Sequence, residues 1–335
     1  MAGGSKVAVY GAIAANSMVM VAKFVGFVVT GSGTMLSEAI HSAADVGNQS
    51  LLIVGMRRSQ QPPDDDHPFG YGRDAFIWAL MSAVGIFFVG CGVTVAHGVH
   101  TLLAEQHEVG PQALNIGILL FALVAEGASL GLAVRGLWRE AKARSMGFWK
   151  HVQTTDDPFG VAVLLEDSAA VLGVVLALVA VVLGVITGET YWDGVGSLVI
   201  GLLLGFVALF LMQKNRAMLI GRSISPGDRD KLRDILENDE AVEKVALARA
   251  VVAGADSWRI SAEIELDGRH LAKKWLADKD LTELQEEAGD AERFGAFLGE
   301  FADDIVEMTG DEVDRIEARI REAIPRARNV DLEAD

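Results

Sequence analysis

The sequence predicts a six-span, all-α membrane domain over residues 1–213 followed by a small cytoplasmic α+β domain over 214–335. Three observations predict it. Hydrophobic residues make up 51% of the 335, and they gather into six apolar runs ahead of Lys214. From Lys214 onward the chain turns acidic: 19 Lys or Arg face 30 Asp or Glu, so that last third carries −11 of the formal −17. Within it, Trp258, Ile260, Ala262, Ile264 and Leu266 alternate with Arg259, Ser261, Glu263 and Glu265. That period of two marks a half-buried strand.

The apolar runs cover 7–30, 34–57, 73–102, 112–138, 160–187 and 191–213. Each reaches the ~20 helical residues needed to cross the hydrocarbon core. Six-span threading collects Lys6, Arg57, Arg58, Arg73, Arg139, Lys142, Arg144, Lys150, Lys214 and Arg216 on one side. The opposite connections, 31–33, 105–110 and 188–191, contain no Lys or Arg. The positive-inside rule therefore places both termini and the acidic domain in the cytoplasm. The N-terminus enters the first span with no small-residue cleavage pattern, so no removable signal is expected. Its shortness favours a prokaryotic inner membrane over an organelle membrane. In the sixth run, Gly201 and Gly205 form a small-xxx-small step suited to close helix packing.

Charge and cysteine content exclude other classes. A domain this acidic argues against nucleic acid as a partner and tolerates cations. One cysteine, Cys91, rules out a disulfide framework or a Cys-rich zinc cluster and reads as a packing residue. No prosthetic group is called for.

Ionisable groups at bilayer depth are costly and mark pathways or sites. His41 and Asp45 lie four residues apart in the second run, on one helix face. Glu166 and Asp167 interrupt the fifth. Asp45 falls about 16 Å from the start of its span and Asp167 about 10 Å from the start of its own, so both lie near mid-bilayer. An imidazole and two carboxylates suit a borderline dication such as zinc. Glu166 is the obvious fourth donor, but neighbouring helical residues point about 100° apart, so it and Asp167 compete for one centre. Lys23 and Glu38 lie at similar depths and are expected to pair, with snorkelling of Lys23 as the other option. Glu126 falls in the inner half of the fourth span, while His97 and His100 lie near the outer end of the third.

These residues carry a family resemblance. The His-xxx-Asp of the second span, the Asp of the fifth, and Asp64-Asp65-Asp66-His67-Pro68-Phe69-Gly70-Tyr71-Gly72-Arg73 resemble the cation diffusion facilitators. Asp157-Pro158, Leu164 to Ala170, Leu219 to Ile224 and Val330 to Glu333 resemble the zinc-transporter-nine-like branch. The resemblance spans nearly the whole chain. It implies a six-helix transporter domain and a homodimer that exports Zn²⁺ from the cytoplasm in exchange for protons, by alternating access. It also implies His41, Asp45 and Asp167 as ligands. Many members place a His or Asp where Val163 stands, so Glu166, characteristic of the branch, is the compensating candidate and discrimination against Mn²⁺ is weakened. Some members build an auxiliary loop site from an Asp and two His; Asp64 and His67 are present, but Tyr71 replaces the second His. The physical logic of exchange fits: a ligand sheds its proton before binding metal, and His41 titrates near neutrality.

In the acidic domain, Ser225-Pro226 reads as the cap and first residue of a helix to Asn238. Val242–Val252 and Trp258–Leu266 read as strands, 271–310 as irregular helix, Asp311–Ala323 as a helix with Val313, Ile316 and Ile320 inward, and Arg328–Glu333 as a strand. Its lone His270 supplies no multi-His zinc cluster. Alternatives to zinc export are a Mn²⁺ or broader divalent exporter, a metal-responsive scaffold without flux, and a membrane-embedded lipid-processing metalloenzyme. The last lacks a basic headgroup patch near the membrane face.

Overall fold

A computed structural model describes residues 3–30, 33–103, 112–189, 191–277 and 279–334. The side chains of residues 33–41 lie outside the described residues. The chain forms two compact units, the first running through Ile220 and including Gly254–Asp256, the second made of Gly221–Ala253 and the residues from Ser257 on.

The first unit is helical: α1 (Gly3–Thr30), α2 (Gly33–Arg58), α3 (Asp74–Gly85), a π-helical turn (Ile86–Cys91), α4 (Gly92–Leu103), α5 (Gln112–Ala143), the short α6 (Phe148–Thr154), α7 (Pro158–Thr187) and α8 (Tyr191–Ile220). Among the described residues, α1, the continuous α3–π–α4 run, α5, α7 and α8 are long and apolar enough to cross a bilayer. The 26-residue α2 has the length but carries the polar run Asp45, Asn48, Gln49. Helices α5 and α8 overrun the apolar stretches that announce them, ending at Ala143 and Ile220. Hydropathy stops at the bilayer edge, whereas Arg139, Glu140 and Lys142 remain good helix formers in water.

Helix α7 is central, packing against α5 and α8 and touching α1, α2 and α3. Its first half is accordingly buried almost without interruption from Pro158 to Leu164. Asp157 caps it, accepting from the amides of Phe159 (3.1 Å) and Gly160 (3.2 Å), and Pro158 takes the first turn, where no donor is needed. Gly188, at φ 75°, closes the far end in the left-handed conformation. The Gly201–Gly205 step is used inside this chain. A Cβ on Gly201 would lie 2.6 Å from a Val95 methyl, and one on Gly205 3.0 Å from the Cys91 sulfur. Cys91 is thus a packing partner.

The second unit contains α9 (Pro226–Glu237), β1 (Val242–Gly254), β2 (Ser257–Leu266), α10 (Gly268–Leu276), α11 (Leu281–Glu287), α12 (Ala291–Ala323) and β3 (Ala327–Ala334). The sheet order is β1-β2-β3, with β3 parallel to β2 and Ile260 opposite Val330. A parallel partner requires a crossover, which α10 to α12 provide. Trp258, Ile260, Ala262 and Ile264 are the buried face of β2; Leu232, Leu236, Ile316 and Ile320 are buried on α9 and α12. Where the sequence suggests irregular helix to 310, the structure has one helix from Ala291. The cap Asp290 starts it by accepting from Glu292 and Arg293. Its interior glycines cost only about 1 kcal/mol each, which the rest of the helix absorbs.

Buried Asp239, just past α9, is saturated. Arg315 grips both its oxygens (2.5 and 3.1 Å), Arg319 donates at 2.7 Å, and the Ala241 amide at 3.1 Å. Burial alone would raise its carboxyl pKa, but Arg315, the amide and Arg319 outweigh it and hold the group below the usual carboxylate range. Glu312 is buried beside it and takes Lys274 and Arg315, each at 2.6 Å.

Candidate functional site: an acidic cavity among the spans

Polar residues spaced three or seven apart occupy single faces of the helices, and these faces meet. From α1 come Asn16 and Lys23, from α2 Asp45, from α5 Glu126, and from α7 Glu166; together they line a cavity of about 60 Å³. That volume suits an ion with a water or two. Small residues of α7 (Ala169, Ala170, Gly173, Ala177) keep it open, and Ile86 and Gly90 of the π-helical turn form part of its wall. Extra-residue turns of this kind recur at functional sites.

The two adjacent acids of α7 diverge as helix geometry requires. Glu166 is 4% exposed and lines the cavity; Asn48 lies beside it, but neither carboxylate oxygen makes a hydrogen bond of normal geometry. Asp167, 2% exposed, turns toward α5 and accepts from the Ser129 hydroxyl at 2.5 Å. Asp45 is within electrostatic reach of both. Among the described residues no three His, Cys, Asp or Glu side chains gather around one ion position. The His41 side chain, expected as a ligand, lies outside the described residues. Val163 is fully buried, one turn before Asp167.

Lys23 is 3% exposed, and its ammonium donates to Ser42 at 3.0 Å, so it does not snorkel. Its expected partner Glu38 lies outside the described side chains. Sequence reading missed Ser129 and Asn16. The available signal was the i+3 step from Glu126 to Ser129 and the i+7 step from Asn16 to Lys23. It also passed over His151, fully buried on α6 with Glu140 3.4 Å away. The Lys214 ammonium donates to the Val152 carbonyl at 2.5 Å, at the C-terminal turn of α6 where carbonyls lack helical partners. His97 approaches Asp193 at 3.9 Å.

The loop after α2 is a closed turn. Asp64 accepts from the His67 amide and the Tyr71 hydroxyl, both at 2.7 Å, and the His67 and Tyr71 rings lie 4.2 Å apart. The Tyr71 hydrogen bond holds the exposed Asp64 below the ordinary carboxylate range and pushes the phenol up. The His67 amide and the Tyr71 hydroxyl thus take one oxygen of Asp64 each.

Comparison with known proteins places this arrangement. Residues 9–220 match the cation efflux transmembrane domain. The chain is 39% identical over 325 residues to the human protein named proton-coupled zinc antiporter SLC30A9, mitochondrial, covering 96% of this chain and 57% of that protein. It is 35% identical over 338 residues to metal tolerance protein C4 of Arabidopsis thaliana (98% and 73%). Against magnetosome protein MamM of Magnetospirillum gryphiswaldense it is 35% identical over 252 residues (73% and 72%). The chain thus spans little more than half the length of its zinc-antiporter relatives. It is an integral, multi-pass membrane protein, and by the match over its helical unit and these identities it belongs to the cation efflux, or cation diffusion facilitator, family of transporters rather than to the enzymes.

Proposed function

We propose that the chain exports a divalent cation, Zn²⁺, from the cytoplasm in exchange for protons, by alternating access around this cavity. The observation that carries the reading is Glu166, a buried carboxylate with Asn48 beside it but no hydrogen bond of normal geometry, in a cavity that Asp45 also lines. A buried acid left unsatisfied is costly and calls for a ligand. We assign His41, Asp45, Asp167 and Glu166 as the metal ligands, with Ser129 orienting Asp167 as outer-shell partners do. Deprotonation on loading and reprotonation on release couple the two fluxes. The names of the human and plant relatives support zinc and metal tolerance as the direction of this reading.

We further propose that the chain works as a homodimer with residues 1–213 as the transport domain, residues 214–335 as a cytoplasmic domain, and both termini on the cytoplasmic side. Its own Lys and Arg distribution supports that orientation, in a prokaryotic plasma membrane. Mn²⁺ as a second cargo is favoured by one observation, the oxygen-rich lining of Asp45, Glu126 and Glu166.

The test is Zn²⁺ uptake into proteoliposomes under an imposed pH gradient. Uptake that dissipates the gradient and disappears in Asp45→Asn and Asp167→Asn supports the proposal. Binding without flux would favour a metal-responsive scaffold, and uptake indifferent to both substitutions would reject this site.

A further inference from the structure

Two polar side chains are sealed inside the helical unit, apart from the cavity. Gln49 of α2 is 0% exposed, and among the described residues neither its amide nitrogen nor its amide oxygen has a hydrogen-bond partner. Ser82 of α3 is 1% exposed, and its hydroxyl is equally unpartnered. Neither lines the cavity, but each lies one helical turn from a residue that does: Gln49 from Asp45, toward Arg58, and Ser82 from Ile86, toward Asp74. A step of four residues keeps to one helix face, so both continue the cavity wall in that direction. The cavity itself follows α7 the other way, from Glu166 to Ala177. Toward the Pro158 end the three helices close on one another. A Cβ on Gly55 of α2 would lie 2.5 Å from that of Trp78 on α3 and 3.1 Å from the Phe159 ring on α7. Leu52, Ala79, Phe159 and Val163 belong there to one apolar cluster, each at most 1% exposed.

A bare amide and a bare hydroxyl beside such a cluster are costly, and leucine and alanine would fill the same places without that cost. Groups of this kind call for a state in which they are solvated or liganded. We propose that Gln49 and Ser82 form an entry subsite for a hydrated divalent cation, on the side of the cavity that faces Arg57 and Arg58, closed in this structure by Leu52, Ala79, Phe159 and Val163. The inference rests on the export reading and deepens it, adding the step at which the cargo is loaded. Water molecules bound to the ion donate to the amide oxygen and the hydroxyl. Neutral acceptors hold the ion less tightly than carboxylates, so it passes on to Asp45 and Glu166. Asn48, beside Glu166 and three residues from Asp45, extends the same face of α2.

The test uses full-length protein carrying Cys91→Ala, in membrane vesicles of either orientation, with a membrane-impermeant maleimide added to the medium. The Gln49→Cys thiol should be modified from the face that bears Arg57 and Arg58 and not from the opposite face. Ser82→Cys gives the same readout from α3 if Gln49→Cys fails to assemble. In proteoliposomes, Gln49→Leu should lower kcat/KM for Zn²⁺ about tenfold, the worth of one hydrogen bond to the ion's water shell. Its radiozinc affinity at equilibrium should keep the wild-type value, and thermal unfolding should come no earlier. Ser82→Thr, which keeps the hydroxyl, should transport as the wild type does, and Ser82→Ala should be slower. Modification only from the opposite face, or from neither, overturns the proposal. So does a wild-type kcat/KM in Gln49→Leu, or early unfolding with weakened binding, which would mark a packing role. A wild type without Zn²⁺ flux refutes export instead; the maleimide measurement needs no flux and still decides whether this route opens.

Discussion

Glu166 in the membrane unit and Asp239 in the C-terminal unit are both buried carboxylates, and their surroundings are opposite. Asp239 is met by two guanidinium groups and a backbone amide, so every strong acceptor direction is used. Glu166 has the Asn48 side chain beside it but makes no hydrogen bond of normal geometry, and it lines a cavity with two further carboxylates. A saturated buried acid joins α9 to α12 and specifies one packing. An unsatisfied one among like charges destabilises the resting protein and is retained where a ligand completes it.

Glu166→Gln tests this contrast most severely. It should cut Zn²⁺ uptake by about 100-fold, the upper range for loss of a metal-site group. Thermal unfolding should meanwhile shift little, because the carboxamide fills the same buried space. A variant that transported normally but unfolded early would invert the roles assigned to the two acids. Asp239→Ala should do the opposite. It removes the acceptor for Arg315 and Arg319, which are half-exposed and regain water, so the loss is about 2 kcal/mol. Hydrogen exchange in the full-length protein should show faster exchange in α9 and the C-terminal half of α12, with uptake per folded molecule retained.

Ser129→Ala sharpens the membrane side by freeing Asp167 without removing it. Zn²⁺ affinity should fall about tenfold with the fold intact, as for loss of an orienting partner. Equal affinity in the two proteins would show that the Ser129 bond does not orient a ligand. The smallest effect expected is on pH. Asp239 has its pKa depressed in the folded state, so its contribution is full above the unfolded value of about 3.9 and is lost as pH falls through the lower folded value. Hydrogen exchange protection of the C-terminal unit should therefore hold down to about pH 4 and decline below it. In Asp239→Asn that acid decline should be blunted.

Much of the architecture was legible. The apolar runs located the six long helical segments, and the alternation at Trp258–Leu266 located β2, because burial imposes its period directly on sequence. The ends of α5 and α8 were not legible from hydropathy, since helix formation continues past the bilayer edge. The continuity of α12 was hidden because glycines at 295, 299 and 310 weaken a helix without stopping it. Within the site, the placement of Asp45, Glu166 and Asp167 well inside long helices followed from residue counting. The partnership of Ser129 with Asp167 did not, because it joins positions 38 residues apart.

By itself the sequence determined which residues lie in apolar helices, how charge divides between the two halves, and which acids fall well inside those helices. Those properties are local or additive along a chain. Only the tertiary structure decided that Glu166 rather than Asp167 lines the cavity, that Lys23 turns inward to join it, and that Asp239 is saturated by Arg315 and Arg319. The physical reason is rotational. Helix register tells which residues share a face, but the angle at which each helix presents that face is set by its packing neighbours.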